Sequence, residues 1–396
     1  MGRFGEMKNL KRKVCVVLTA RTSYTKIKPI LIELNKIETV KLQIICAASA
    51  VLERFGNVVN ILRNDGFEVS EVIYMSLESE KLLTSAKSVG FGIIEFAGAF
   101  DRLKPDVVVV MADRFEVIAP SIASTYQNIP LAHIQGGEVT GNIDEKVRHA
   151  ITKLADIHFP STNRSKDWII KMGESENKVF LTGCPSIDLA KEVLNNPKFN
   201  FDLYEKYRGV GDFPPLNKGY LIVMQHPVTT EVSNARSQVI ETLEALKGVN
   251  KSVIWFWPNP DAGGDDTSQV LRQYRENKKI NNIHFIKNME PLDFLTLLYN
   301  SDGIIGNSSV AIRESSYLGV PAINIGTRQS DRERGVNVVD TAHDRFEIKK
   351  AILKHLNGNM GKHSNLYGDG NAGKMIANIL SKVDLSFSKK INYINE

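Results

Sequence analysis

Along the first half of the chain, short apolar runs alternate with longer stretches in which apolar residues return every three or four positions. Val14–Thr19, Leu42–Ala47, Val107–Met111, Pro130–Ile134, Ile157–Pro160 and Val179–Thr182 have the length of buried strands. Ile27, Ile30, Leu31 and Leu34 follow the i, i+3, i+4, i+7 spacing of one helix face. The stretches Val51–Arg63, Lys81–Leu103 and Glu145–Ala155 read the same way. The second half repeats the plan. Tyr220–Met224, Ser252–Trp257, Ile283–Ile286, Gly303–Ile305 and Ala322–Ile325 are strand-like, with helical patterns around Val239–Leu246, Leu292–Tyr299, Ala311–Leu318 and Ile348–Leu356. Crossover helices must lie on the sheet they connect, so this alternation predicts an α/β fold with parallel sheets covered on both faces.

Between the halves, Asn195–Lys218 holds Pro197, Pro214, Pro215 and glycines, the composition of a linker and loop. The expected organisation is a domain of residues 1–185, a second of residues 186–375, and a C-terminal helix or tail over 376–396. A length of 396 residues suffices for two such domains.

Composition narrows the function classes. Hydrophobic residues make up 42% of the chain and charged residues 24%, an ordinary globular mixture. The formal charge of +5 is small for this length and is not gathered into a basic stripe with interleaved aromatics, so nucleic acid is not an expected partner. No apolar run approaches the ~20 residues of a membrane helix. Met1–Lys13 is basic without an apolar core, unlike a signal peptide, so a cytoplasmic setting is expected. Cys15, Cys46 and Cys184 are far apart and read as buried free thiols in a reducing compartment. No Cys/His group has zinc-site spacing.

The turn after the first strand, Thr19-Ala20-Arg21-Thr22-Ser23-Tyr24, lacks the G-x-G-x-x-G of nicotinamide enzymes, and no P-loop sequence occurs. The clearest anion site is Ile304-Ile305-Gly306-Asn307-Ser308-Ser309, an apolar run feeding a small-residue turn that opens a helical stretch. Backbone N–H groups and hydroxyls there suit a phosphate; the same serines would also serve as ordinary helix caps. Glu314 follows and could accept from a ribose hydroxyl. Gln225-His226-Pro227, the loop Trp257 to Gly264, and Gly326-Thr327-Arg328-Gln329 end three further strands. Open α/β folds bind ligands at such strand ends.

The first half supplies Arg21 and Lys26 after the first strand and Asp113-Arg114 after Val107–Met111. His133 to Glu138 follows another strand, and Asp144, Glu145, Arg148 and His149 lie on a helix. Carboxylates beside arginines at successive strand ends suit proton transfer next to a leaving phosphate.

His133-Ile134-Gln135-Gly136-Gly137-Glu138-Val139-Thr140-Gly141, followed by Asp144 and Arg148-His149-Ala150-Ile151-Thr152-Lys153, closely resembles the hydrolysing UDP-N-acetylglucosamine 2-epimerases of sialic acid biosynthesis. The resemblance continues through Gly183-Cys184-Pro185-Ser186, Gln225 to Thr230, Gly306 to Ser309 with Arg313-Glu314, and Gly326 to Gln329. It implies a GT-B-like fold, two Rossmann-like domains facing across a central cleft. It implies cleavage of a UDP-linked N-acetyl sugar with inversion at C2, releasing UDP and free N-acetylmannosamine. Relatives acting on 2,4-diacetamido-trideoxy sugars serve legionaminic acid-type products.

The resemblance puts UDP contacts on Arg21, Thr25, Arg114, His226, Asn259, Ser308, Ser309, Glu314 and Arg328; Lys26, after the first strand, is a further nucleotide-binding candidate. It puts catalytic carboxylates on Asp113 and Asp144, with Glu138 nearby and His226 beside the leaving group. Many relatives carry Glu or His where this chain has Gln135, and an amide cannot shuttle a proton. That position then orients the sugar, or Glu138 takes the role. Loss of UDP to give a glycal, then protonation of C2 on the other face and hydration at C1, needs no metal or nicotinamide cofactor. A homodimer or homotetramer is implied. The alternatives are a sugar transferase of the same fold, a non-hydrolysing 2-epimerase and a nucleotide-binding scaffold.

Overall fold

The computed structural model describes residues 11–53, 57–77, 82–139, 143–228, 230–258, 263–277, 281–356, 361–386 and 389–392, with backbone alone at Leu82, Ile143 and Asp144. The chain divides into two compact units. One comprises Met1–Glu138, Lys146–Ser186 and Asn371–Glu396; the other comprises Val139–Glu145 and Ile187–Gly370.

In the first unit, β1 (Arg12–Leu18), β2 (Val40–Ala47), β3 (Glu71–Ile73), β4 (Val107–Met111), β5 (Leu131–Ile134) and β6 (Ile157–Phe159) form a parallel sheet in the order β3-β2-β1-β4-β5-β6. Alternate residues of each strand point to opposite faces, and both faces are buried. Val14, Val16, Val107 and Val109 join a core with Ile27, Ile30 and Leu34 of α1 (Arg21–Lys36). Cys15, Val17, Val108 and Val110 join another with Phe96 and Phe100 of α3 (Leu82–Leu103), beside Ala119 and Ala123 of α4 (Ile118–Tyr126). All three cysteines are buried thiols outside any disulfide, and burial pushes the Cys46 thiol up to about 12. The described helices of this unit also include α2 (Val58–Asn64) and α6 (Asn163–Lys171), and α5 (Ile143–Leu154) follows β5.

From α7 (Ser186–Asn195) and α8 (Leu203–Tyr207) the chain enters the second unit. There β7 (Val210–Gly211), β8 (Tyr220–Met224), β9 (Ser252–Phe256), β10 (Ile283–Ile286), β11 (Gly303–Gly306), β12 (Ala322–Ile325) and β13 (Val338–Thr341) are ordered β13-β12-β11-β8-β9-β10-β7. All neighbours are parallel except the short edge strand β7. Leaving β7 aside, this is the strand order of the first sheet. Its core packs Val223, Trp255, Phe285 and Ile305 against α9 (Ala235–Leu246), α10 (Gly264–Glu276) and α13 (Arg345–His355). The described helices also include α11 (Pro291–Tyr299) and α12 (Glu314–Leu318).

Residues 371–396 return to the first unit. In α14 (Ala372–Lys382), Ile376, Ala377 and Leu380 complete the core under α1. The Arg12 guanidinium donates to the Leu380 and Val383 carbonyls at 2.8 and 2.9 Å, satisfying acceptors that the helix end leaves open.

Three expected elements differ. Val179–Thr182 forms only an isolated bridge with His158: the Phe180 and Thr182 N–H groups donate to the His158 and Pro160 carbonyls at 2.9 and 3.3 Å, but Pro160 has no N–H to return. Val51–Arg63 is not one helix: Ala48–Val51 is a 3₁₀ turn and α2 starts at Val58. Ala311–Leu318 is likewise split into the 3₁₀ turn Ser309–Ala311 and the five-residue α12. Among the described residues, no helix is long and apolar enough to cross a membrane.

Candidate active site

Each sheet reverses its winding between two central strands, β1 and β4 in the first unit and β8 and β11 in the second. Outside the carboxyl ends of such a pair lies the usual ligand crevice of an open α/β sheet. Arg21, Asp113 and Arg114 in the first unit and His226, Ser308 and Ser309 in the second follow these ends.

In the first unit, Asp113 follows β4 and its carboxylate is paired with the Arg148 guanidinium of α5. Arg148 is 1% exposed and Asp113 18% exposed. A buried guanidinium needs its charge and donors matched. A second Arg148 nitrogen donates to the Glu138 backbone carbonyl at 2.7 Å. One side chain thus joins the end of β4 to the turn after β5. Gly137 makes that turn possible: its φ is +74°, and a Cβ there would stand 2.3 Å from the Ser165 carbonyl oxygen. Glu138 is buried beside it.

His133 of β5 lies deeper. Its Nε2 is 2.9 Å from the Ala112 carbonyl and its Nδ1 is 3.1 Å from the Thr152 hydroxyl. A carbonyl only accepts, so Nε2 carries the proton. Burial pushes this imidazole down to about 3, against the Ala112 hydrogen bond, so it is a neutral strut rather than a proton shuttle. Gln135, at φ +64°, places its amide nitrogen 2.8 Å from the Cys184 sulfur. Arg114 Nε donates to the buried Glu116 carboxylate at 2.6 Å. Arg21, Thr25 and Lys26 lie on the first turns of α1. Ala20 offers this helix no side-chain cap and its first turn holds no acid, which leaves the N-terminus suited to an anion. The Thr25 hydroxyl donates to the Arg21 carbonyl at 3.3 Å.

In the second unit, Asn307 organises the strand ends. Its amide oxygen accepts from the His226 N–H at 2.7 Å and its amide nitrogen donates to the His226 carbonyl at 2.8 Å. Gly306, at φ +133°, allows the approach, since a Cβ would meet the Met224 carbonyl oxygen at 2.1 Å. Arg328 and Gln329, after β12, both donate to the Asn307 carbonyl, at 3.1 and 3.0 Å. His226, Ser308 and Arg328 are thereby gathered at three adjacent strand ends. The Ser308 hydroxyl caps the following turn through a long contact to Val310 N–H, 3.4 Å. Because α12 has only five residues, its dipole is short, and an anion here would depend on N–H groups, hydroxyls and Arg328. Glu314 is 4% exposed, and its Oε2 has no hydrogen-bond partner among the described residues. A buried carboxylate oxygen in that state calls for a donor such as a sugar hydroxyl.

Asn259 and most of its loop lie outside the described residues, as does the Asp144 side chain at the start of α5. Two residues that organise the site were not assigned roles from sequence, Arg148 and Asn307. The signal for Arg148 was a cation one turn beyond Asp144 on a helix face that also carries Ile151. For Asn307 it was an amide directly after a glycine-ended strand.

A family model described as UDP-N-acetylglucosamine 2-epimerase matches residues 32–381. The chain is 32% identical over 374 residues to the UDP-N,N'-diacetylbacillosamine 2-epimerase (hydrolyzing) of Legionella pneumophila, spanning 94% of this chain and 97% of that one. It is 30% identical to the GDP/UDP-N,N'-diacetylbacillosamine 2-epimerase (hydrolyzing) of Campylobacter jejuni, spanning 84% of each. In fold it is similar to the crystal structure of UDP-GlcNAc 2-epimerase from Neisseria meningitidis bound to UDP-GlcNAc. That match has a TM-score of 0.77 at 21% identity and covers 93% of this chain and 99% of that one. With the fold, the two strand-end clusters and these likenesses together, the chain belongs to the UDP-N-acetylglucosamine 2-epimerase family, an α/β fold of two Rossmann-like units of the GT-B-like kind.

Proposed function

We propose that this protein is a hydrolysing 2-epimerase, releasing UDP from a UDP-linked N-acetyl sugar and returning the free sugar inverted at C2. The observation that carries the reading is the carboxylate of Asp113, held at a strand end by buried Arg148 beside Glu138. In the first step the C1–O bond to UDP breaks and a carboxylate takes the C2 proton, leaving a C1=C2 double bond. In the second, a proton returns to C2 on the opposite face and the hydroxyl of water adds at C1. The sum is UDP-sugar plus water giving UDP plus the free epimer. Asp113, Asp144 and Glu138 are the proton-transfer set. His226, Ser308, Ser309 and Arg328 receive the departing diphosphate, Glu314 takes the ribose, and Arg21, Thr25, Lys26, Arg114 and Asn259 make the remaining nucleotide contacts.

The names of the Legionella and Campylobacter relatives support both the hydrolysing outcome and a 2,4-diacetamido-trideoxy sugar as the preferred substrate over UDP-N-acetylglucosamine. The test is incubation with each UDP-sugar, without an acceptor, followed by NMR of the products. Free 2-epimer with equimolar UDP is expected. A product still linked to UDP would indicate a non-hydrolysing epimerase, and no UDP release without an acceptor would indicate a transferase. The buried thiols, none in a disulfide, suit a reducing, cytosolic setting.

The assembly we propose is a homodimer through α3. Leu83, Phe91 and Ile94 are exposed along one side of this helix, and exposed Lys87 and Glu95 flank Phe91 at equal spacing. Antiparallel pairing about a two-fold axis at Phe91 would set Lys87 opposite Glu95 of the partner subunit, a self-complementary arrangement.

A further inference from the structure

The helix that carries Arg148 is fixed at its far end by the C-terminal tail. The last carbonyls of α5 have no partners within the helix. The Lys389 ammonium supplies donors there, to the Ala155 carbonyl at 2.5 Å and the Thr152 carbonyl at 3.4 Å. It also pairs with Glu174 at 2.8 Å. Glu174 in turn receives Lys153 of α5 at 2.5 Å and lies 3.1 Å from His158 Nε2 of β6. A backbone bond from Asn392 N–H to the Gly173 carbonyl, 3.0 Å, seats the tail beside this cluster. From Thr152 the path to the site is short. Its hydroxyl is 2.9 Å from the Arg148 carbonyl and also meets His133.

We propose that Lys389 is a positioning residue for the reaction: by capping α5 and tying it to Glu174, it sets the place of Arg148 against Asp113 and the Glu138 carbonyl. The inference rests on the reading of Asp113 as part of the proton-transfer set. The groups facing Lys389 are Glu174 after α6, Lys153 on α5, His158 on β6 and Asp156 between α5 and β6. Burial lowers the Lys389 pKa against the pull of Glu174 and Asp156, with Lys153 adding to the lowering. The side chain keeps 27% exposure and lines a cavity of about 310 Å³ with Asp156, Glu174 and Lys178, so it can exchange its proton with solvent. Deprotonation removes the charge that pairs with Glu174, and turnover then falls on the alkaline side.

The test uses the full chain as wild type, Lys389→Arg and Lys389→Met, with kcat and KM measured from about pH 6 to 10. Lys389→Met should lower kcat on the order of 10-fold to 100-fold, the scale of a slightly misplaced catalytic group, with little change in KM. Lys389→Arg, which keeps the charge and does not titrate in this range, should restore kcat and move the alkaline limb to higher pH. An alkaline limb unchanged in Lys389→Arg would overturn the proposal, as would wild-type kcat in Lys389→Met. If Lys389→Met fails to fold, the Arg variant alone decides. Asp113→Asn run in parallel separates the two claims. Wild-type turnover there sinks the reading of the site, whereas a slow Asp113→Asn beside an unaltered Lys389 series sinks only the role of the tail.

Discussion

At the end of β4 a carboxylate meets a buried guanidinium, while at the equivalent place in the second unit, after β11, an amide clasps backbone. The two sheets share one strand order, so the difference lies in the residues placed just beyond the strand ends. A buried ion pair fixes a charged group whose geometry is set by a partner on another element, here Arg148 of α5. That suits a group that must exchange a proton at a defined position. A clasp made by Asn307 adds no charge. It leaves the hydroxyls of Ser308 and Ser309 and the cation of Arg328 beside a strand end, which suits an anion that arrives and departs. On the function proposed above, the same strand order would serve proton transfer in one unit and leaving-group binding in the other.

Substitutions that exchange or erase this division should separate rate from affinity. The largest effect is expected from Asp113→Asn, which keeps size and hydrogen bonding but removes the proton-accepting charge. Turnover should fall on the order of 10²–10⁴-fold while UDP affinity, measured by calorimetry, stays near wild type. Equal losses of rate and affinity would blur the division. Asn307→Ala should do the reverse. It strips two hydrogen bonds from His226 and should weaken UDP binding by about 2–3 kcal/mol, the scale of two such bonds, with a lower melting temperature. Wild-type affinity in that variant would remove Asn307 from the account. Ser309→Ala or Glu314→Ala should each weaken UDP binding by about 1–2 kcal/mol with no change in fold by circular dichroism.

The smallest effect concerns stability rather than turnover. Burial alone would push the Glu174 carboxyl up, but hydrogen bonds from His158, Lys153 and Lys389 outweigh it and hold it down to about 2, from an ordinary 4.5. Its folded-state pKa is depressed. The stability it contributes is therefore present above about pH 4.5 and is lost as pH falls toward 2. In urea titrations, Glu174→Gln should be less stable than wild type at neutral pH and the gap should close through this window. A gap independent of pH would mean that the cluster contributes by packing.

The central strands could be read in advance because each is a short apolar run, rich in Val or Ile, buried on both faces. Polar or small residues after those runs then marked the carboxyl ends of the strands, which is why Asp113, Glu138, His226 and Ser308 could be placed there as candidates. Edge strands were not. β3 has three residues and β7 two, and β13 is partly exposed without clear alternation. The split of Ala311–Leu318 was hidden because its apolar spacing persists across the break at Ile312 and Arg313. The partnerships that organise the site were equally hidden. Arg148 and Asp113 are 35 positions apart and Asn307 and His226 are 81 apart, so only the tertiary fold brings them together. Lys389, 237 positions from Thr152, had no signal of its own in a polar tail.

The most direct test of the account is proton NMR of a reaction run in deuterium oxide with the UDP-linked 2,4-diacetamido sugar and, separately, UDP-N-acetylglucosamine. The account predicts UDP and a free 2-epimer carrying deuterium at C2, since the proton removed on one face is replaced from solvent on the other. A product still bound to UDP, or a free epimer that keeps its original hydrogen at C2, would contradict it.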